Sequence, residues 1–134
     1  MAGYSGKPVW AKMGLKPGQR AARLGAPADH EHLLGLDAPA LDWQTRLLPE
    51  TEVVHVFVTE RAALADALKR ARTGIVPDGM VWVSWPKKAS RIPSEVTEDV
   101  VREVALPMGF VDVKVCAVSD IWSGLKLVIR KELR

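Results

Sequence analysis

The run Val53-Val54-His55-Val56-Phe57-Val58 leaves this chain few architectures to choose from. A strand with one wet face alternates apolar and polar residues. This run does not alternate, so both of its faces must be covered, as in the middle of a parallel sheet with helices on either side. A second run of the same kind, Met80-Val81-Trp82-Val83-Ser84-Trp85, is halted by Pro86. Between the two, Leu64, Ala67, Leu68, Ala71 and Ile75 recur at helical spacing, while Glu60, Arg61, Asp66, Lys69, Arg70 and Arg72 mostly face outward. Thr59 is placed to cap that helix, Gly74 and Pro77 to stop it, and Pro77-Asp78-Gly79 to turn the chain. Strand, helix and strand within about 33 residues predict a right-handed crossover between parallel neighbours.

Further on, Ser94 offers a second cap, and Val96, Val100, Val101 and Val104 form the apolar stripe of a helix ended by Pro107 and Gly109. Val111 to Val118 and Leu125 to Arg130 read as strands, and Ser119 to Gly124 is too short a link for a helical crossover, so they should pair antiparallel. Gly124 is expected to supply a positive backbone angle in that turn. Upstream, a strand is expected over Arg20 to Leu24, a short helix over Asp29 to Leu34 and a strand over Trp43 to Leu48. Residues 1–15 show no period and are read as an ordered or semi-ordered basic arm on a single α/β domain spanning 16–134.

A length of 134 residues suits one core, and 48% hydrophobic with 26% charged residues excludes a disordered or fibrous chain. The one cysteine, Cys116, excludes an internal disulfide framework and a zinc site built on paired thiolates. No apolar run approaches the roughly 18 residues of a membrane span, and Met1 to Arg20 lack a secretory apolar stretch, so no membrane association and a cytoplasmic location are expected. Lys7, Lys12, Lys16, Arg20 and Arg23 all precede the first acid, Asp29, and outnumber the net charge of +3. The basicity therefore belongs to the N-terminal region, and the rest of the chain is slightly acidic.

Two resemblances rest on particular residues. Leu15-Lys16-Pro17-Gly18, Leu24-Gly25-Ala26-Pro27, Val76 to Ser84 and Gly109-Phe110 together resemble the skeleton of Rossmann-like methyltransferases. That resemblance implies a three-layer α/β Rossmann-like sandwich, mostly parallel with a C-terminal antiparallel hairpin. It also implies S-adenosylmethionine chemistry, although only Gly25 stands where such enzymes carry a glycine-rich turn. Gly3-Tyr4-Ser5-Gly6-Lys7-Pro8, Trp82 to Ser90, Asp112 to Val118 and Trp122-Ser123-Gly124-Leu125-Lys126 resemble a bacterial family of unknown function, domain number 3052, which implies a small intracellular α/β domain and no particular activity.

In an open α/β sheet, ligands sit beyond the carboxyl ends of the parallel strands, where Pro86-Lys87-Lys88-Ala89-Ser90-Arg91 begins. Lys87, Lys88 and Arg91 are candidate anion ligands, with Ser90 as a neutral donor and Trp85 as an apolar wall; the alternative is a solvated basic loop. Trp122, Ser123 and Lys126 are candidates to extend that surface, Trp122 equally to cap the core edge. His55 is read as a hydrogen-bonded core histidine rather than a general base. His30 and His32, about 200° apart on a helix, cannot grip one metal and are read as an exposed helix start. Cys116, alternating with Asp112 and Lys114, is read as a small buried thiol. Gly3 to Pro8 is read as a phosphate-friendly loop or a terminal arm.

No catalytic residue, metal site or cofactor is identified. The expectation is a ligand-binding or regulatory domain for an anionic small molecule, without robust catalysis. The alternatives are a degenerate S-adenosylmethionine-dependent enzyme and weak nucleic-acid binding through the basic arm, where Tyr4 and Trp10 lie among lysines. The oligomeric state is left open.

Overall fold

The computed structural model describes residues 7–134. One six-stranded sheet organises them, in the order β2-β1-β3-β4-β6-β5. Strands β1 (Arg20–Leu24), β2 (Asp42–Gln44), β3 (Thr51–Phe57) and β4 (Ile75–Pro86) run parallel, while β6 (Trp122–Ile129) is antiparallel to both β4 and β5 (Phe110–Ala117). This is the three-layer α/β sandwich expected. Helices α3 (Arg61–Gly74) and α4 (Glu98–Ala105) cover one face; the short helices α1 (Val9–Met13) and α2 (His30–Leu34) lie on the other.

The unalternating runs are explained by this double cover. Val54 and Val56 of β3 and Val81, Val83 and Trp85 of β4 pack with Leu64, Leu68 and Ala71 of α3 and Val101 and Val104 of α4. Val53, Met80 and Trp82 point the other way, onto Met13, Leu15 and Leu34. Trp82 is fully buried and donates its indole N–H to the Met13 carbonyl at 3.1 Å, as a buried indole requires. That bond ties part of the N-terminal segment read as an ordered or semi-ordered arm onto the sheet: Val9–Met13 is helical, and Met13 and Leu15 are core.

Several local expectations are corrected. Thr59 does not cap α3; Glu60 holds the cap position, and the Thr59 carbonyl accepts from the Glu95 N–H at 2.7 Å. Thr97, not Ser94, caps α4, its hydroxyl accepting from the Val100 N–H at 3.2 Å; Ser94 closes the preceding turn onto Val96. Pro77-Asp78-Gly79 turns the chain inside β4, between the pairs Thr51↔Ile75 and Val53↔Met80. Gly124 lies within β6 and has no positive φ; its missing side chain admits Val118 and Trp82, which a Cβ would approach to 3.0 and 3.4 Å.

Gly25 carries a different constraint. Its φ is +67°, and a Cβ there would stand 2.7 Å from the Phe57 carbonyl oxygen. Replacing Gly25 by alanine is therefore expected to destabilise the fold by about 2–3 kcal/mol, measured by urea denaturation, because backbone strain and a clash with a fixed carbonyl add.

Candidate functional site

The chain leaves β1 for β2 through α2 on one face and leaves β3 for β4 through α3 on the other. Strand order thus reverses between β1 and β3, which makes their carboxyl ends the switch point where open α/β sheets hold ligands. Four elements deliver polar side chains beneath it. Arg23 comes from β1, His30 from α2, His55 from β3 and Ser84 from β4.

These four form one hydrogen-bonded chain: Arg23 Nη1 to His30 Nδ1 at 3.3 Å, His30 Nε2 to His55 Nδ1 at 3.0 Å, and His55 Nε2 to Ser84 Oγ at 2.8 Å. His30, His55 and Ser84 are buried. Their proton positions follow from chemistry. A guanidinium only donates, so His30 Nδ1 accepts. Burial, reinforced by the Arg23 charge and only partly opposed by Asp29, lowers the His30 pKa to about 4, so the ring is neutral and carries its proton on Nε2. His55 Nδ1 must then accept. Burial and the neighbouring His30 hold His55 well below its ordinary pKa, so its own proton sits on Nε2 and is donated to Ser84.

Every bond in the chain therefore points from Arg23 toward Ser84. A serine–histidine nucleophile needs the reverse, with histidine accepting the hydroxyl proton. The arrangement holds β1, β3 and β4 together rather than activating Ser84. His55 is the core histidine expected from sequence. His30 is not the exposed residue expected: only His32, on the opposite side of α2, is.

Above this chain lies an aromatic layer. His30 meets Trp43 edge-on at 4.8 Å and Phe57 at 5.7 Å, His55 lies 4.2 Å from Phe57, and Phe57 meets Trp122 at 5.0 Å. The Arg23 guanidinium stands 5.9 Å from the Trp43 ring and bridges to Glu31 at 3.4 Å. Side chains thus fill the switch point from β2 across to β6. A cleft of about 470 Å³ opens beside it, on the outer side of α2, lined by His32, Leu36, Pro39 and Trp43.

The basic loop after β4 is built differently. Lys88–Ser90 form one 3-10 turn, and the Lys87 N–H donates to the Ile121 carbonyl at 2.8 Å, fixing the loop to the β5–β6 connection. Ser90 Oγ donates to the Lys87 carbonyl at 2.6 Å and accepts from the Ile92 N–H at 3.2 Å. Its hydroxyl is engaged in shaping the turn. Arg91 holds φ at +60°, a left-handed conformation that strains a residue with a Cβ. Lys88 and Arg91 are exposed, and Lys87, Lys88 and Arg91 have no acidic partner among the described residues.

The other sequence candidates are divided by the fold. Trp85 is buried, with its ring in the α3–α4 core. Trp122 pairs with Pro86, and Ser123 lies in the ladder between Trp85 and Ala117. Lys126 pairs with Trp82, four register steps or about 13 Å from the Pro86 level, and is not brought to the Lys87–Arg91 loop. Lys7 and Pro8 lead into α1, while Gly3 to Gly6 and Tyr4 lie outside the described residues. Arg23 and Trp43 escaped the sequence reading; the only signal near them was the histidine at position 30.

The fold is similar to that of several solved S-adenosylmethionine-dependent methyltransferases. A SAM-dependent methyltransferase from Aquifex aeolicus superposes with a TM-score of 0.67 at 15% identity, over 90% of this chain and 87% of that one. Fibrillarin from Aeropyrum pernix, solved with natively bound S-adenosyl-L-methionine, gives 0.57 at 15% identity over 90% and 73%, and the N-methyltransferase NodS from Bradyrhizobium japonicum gives 0.58 at 8% identity over 84% and 86%. At these identities the likeness defines the fold. Residues 49–131 match the family described as protein of unknown function, DUF3052, and the chain belongs to that family. No curated protein matches it by sequence.

Proposed function

We propose that this chain is a ligand-binding or regulatory domain on a methyltransferase scaffold, which recognises an anionic small molecule through Lys87, Lys88 and Arg91 and transfers no methyl group. The observation that carries the reading is the loop itself: three cations without acidic partners, at the carboxyl end of a central strand, on a backbone strained at Arg91. Uncompensated charge gathered on a fixed loop favours an anion, and strain in a non-glycine residue concentrates at working sites.

S-adenosylmethionine fits the residues poorly. Gly25, alone in its turn, is a glycine because the Phe57 carbonyl approaches it, which leaves no glycine-lined cradle for a ligand. At the end of β2 stands Gln44, whose amide donates to Asp42 at 2.8 Å, so that strand end presents no free carboxylate for a ribose. His30, Trp43 and Phe57 occupy the space between.

Thermal denaturation with a panel of nucleotides and phosphometabolites tests the proposal. A ligand at about 100 times its Kd should stabilise the parent by about 2.7 kcal/mol, and Lys87→Ala/Lys88→Ala should abolish most of that gain. A panel that stabilises neither protein, or both equally, defeats the anion site. Calorimetric heat on adding millimolar S-adenosylmethionine would defeat the second half of the reading.

A further inference from the structure

One strand irregularity gathers charge at a place the loop site does not use. Between Asp112 and Lys114 the register of β5 against β6 shifts, from Asp112↔Leu127 to Lys114↔Lys126. Without that bulge Val113 would oppose Lys126, and Lys114 would oppose Leu125 and turn toward α4. The bulge re-aims Lys114 onto the face of the sheet that carries Lys126, α1 and Trp82. It also corrects the expected alternation: Asp112 turns to α4, where Arg102 donates to it at 3.0 Å, while Lys114 and Cys116 share the opposite face.

Two costs are thereby placed together. Val113 is left 51% exposed, and two lysines stand directly opposite each other on an antiparallel pair, where like charges repel at close range. Lys12 adds a third charge to the same face, its ammonium held 2.9 Å from the Ala117 carbonyl. None of the three lysines has an acidic partner among the described residues. Partial burial and the Lys114 charge both push the Lys126 pKa below its ordinary value. Beside them burial raises the Cys116 thiol despite Lys12 and Lys114, so the thiol supplies no negative charge to the cluster.

We infer that Lys114, Lys126 and Lys12 form a second anion site, distinct from the Lys87–Arg91 loop, which takes a phosphoryl group on the α1 face of the β5–β6 hairpin. A dianion between Lys114 and Lys126 converts their repulsion into two charge-assisted contacts, with Lys12 closing the third side. Phosphate suits the site better than a carboxylate, because its oxygens diverge toward three donors at once.

The test uses inorganic phosphate as the probe, at constant ionic strength, on the full chain carrying Lys87→Ala/Lys88→Ala so that the loop contributes nothing. Calorimetry should still detect binding, and adding Lys114→Gln or Lys126→Met should each weaken it about tenfold. Without phosphate, Lys126→Met should melt higher than its background, since the methionine keeps an apolar stem over the sheet while the repulsion disappears. Phosphate should narrow that gap. Absence of phosphate heat in the background protein, equal affinity in all three proteins, or a lower melting temperature for Lys126→Met in phosphate-free buffer would each overturn the site. None of these outcomes depends on whether the Lys87 loop binds anything.

Discussion

Replacing His55 by alanine should destabilise the domain by about 3–5 kcal/mol, more than any substitution in the basic loop, because it opens a hole and strands two polar groups together. His55 is fully buried between His30 and Ser84. In the variant, the His30 Nε2 proton loses its acceptor and Ser84 Oγ loses its donor, in a region lined by Phe57 and Trp82 that gives water little room. His55→Gln retains one amide donor and one carbonyl acceptor on a longer stem and should recover part of the loss. Ser84→Ala removes only the terminal acceptor and should cost about 1–3 kcal/mol. Urea denaturation of the four proteins ranks them. If His55→Ala and Ser84→Ala cost the same, or if both lie within about 0.5 kcal/mol of the parent as ordinary surface changes do, the chain is not holding the strands together.

The donor direction along that chain also says what the switch point can do. Because Arg23 fixes the first acceptor, each neutral imidazole has one tautomer that completes its bonds, and Ser84 sits at the receiving end. At the head of this sheet two histidines, Trp43, Phe57 and Trp122 pack against one another where an open α/β sheet would hold a ligand. Lysines without acidic partners among the described residues stand at its margins, after β4 and on the β5–β6 hairpin, where the two anion sites are proposed.

What sequence makes legible here follows from how each element is stabilised. β3, α3 and β4 are governed by burial on both faces and by a full helical period, signals that sit in the order of residues themselves. The β5–β6 pairing is read as easily, from a link too short to cross the sheet, whereas the strands upstream give weaker signals: β1 follows only from the turn before it, and the strand expected over Trp43 to Leu48 is Asp42–Gln44. The short elements are different. α1 and α2 have five residues each, too few to display a period, so nothing in the sequence shows that Met13 reaches Trp82 or that His30 turns inward while His32 turns out. Bulges are equally silent: strict alternation sends Lys114 and Asp112 to the same face, and a single extra residue at Val113 separates them. The Lys87–Arg91 loop was legible because it follows a clear strand into a proline. The Arg23–His30–His55–Ser84 chain was not, since its four members are joined only by the fold.

Stability should fall steeply as pH drops from about 6.5 to about 4, and the buried imidazoles account for the window. The His30 pKa is about 4 in the folded chain against 6.5 when solvated, and His55 is also lowered. Between those values the unfolded chain binds protons that the folded chain refuses, so acid favours unfolding; above 6.5 neither state is protonated and the contribution is fully present. For His30 alone the difference corresponds to about 3 kcal/mol. Geometry supplies the cause beyond burial. A proton added to His30 Nδ1 would face the Arg23 guanidinium, and one added to His55 Nδ1 would face the His30 Nε2 proton, so each places donor against donor. The Asp112 carboxyl, held below the usual range by Arg102, loses its contribution only at lower pH and does not blur the transition. Arg23→Met removes the guanidinium and its charge, so the His30 pKa should rise toward 6.5, lifting the lower bound of the window and shrinking the loss of stability across it. Equilibrium urea denaturation from pH 4 to 8 checks both statements: a parent whose stability is flat between 6.5 and 4.5 would show that the two rings protonate without disturbing the chain, and the assigned tautomers would fall with it.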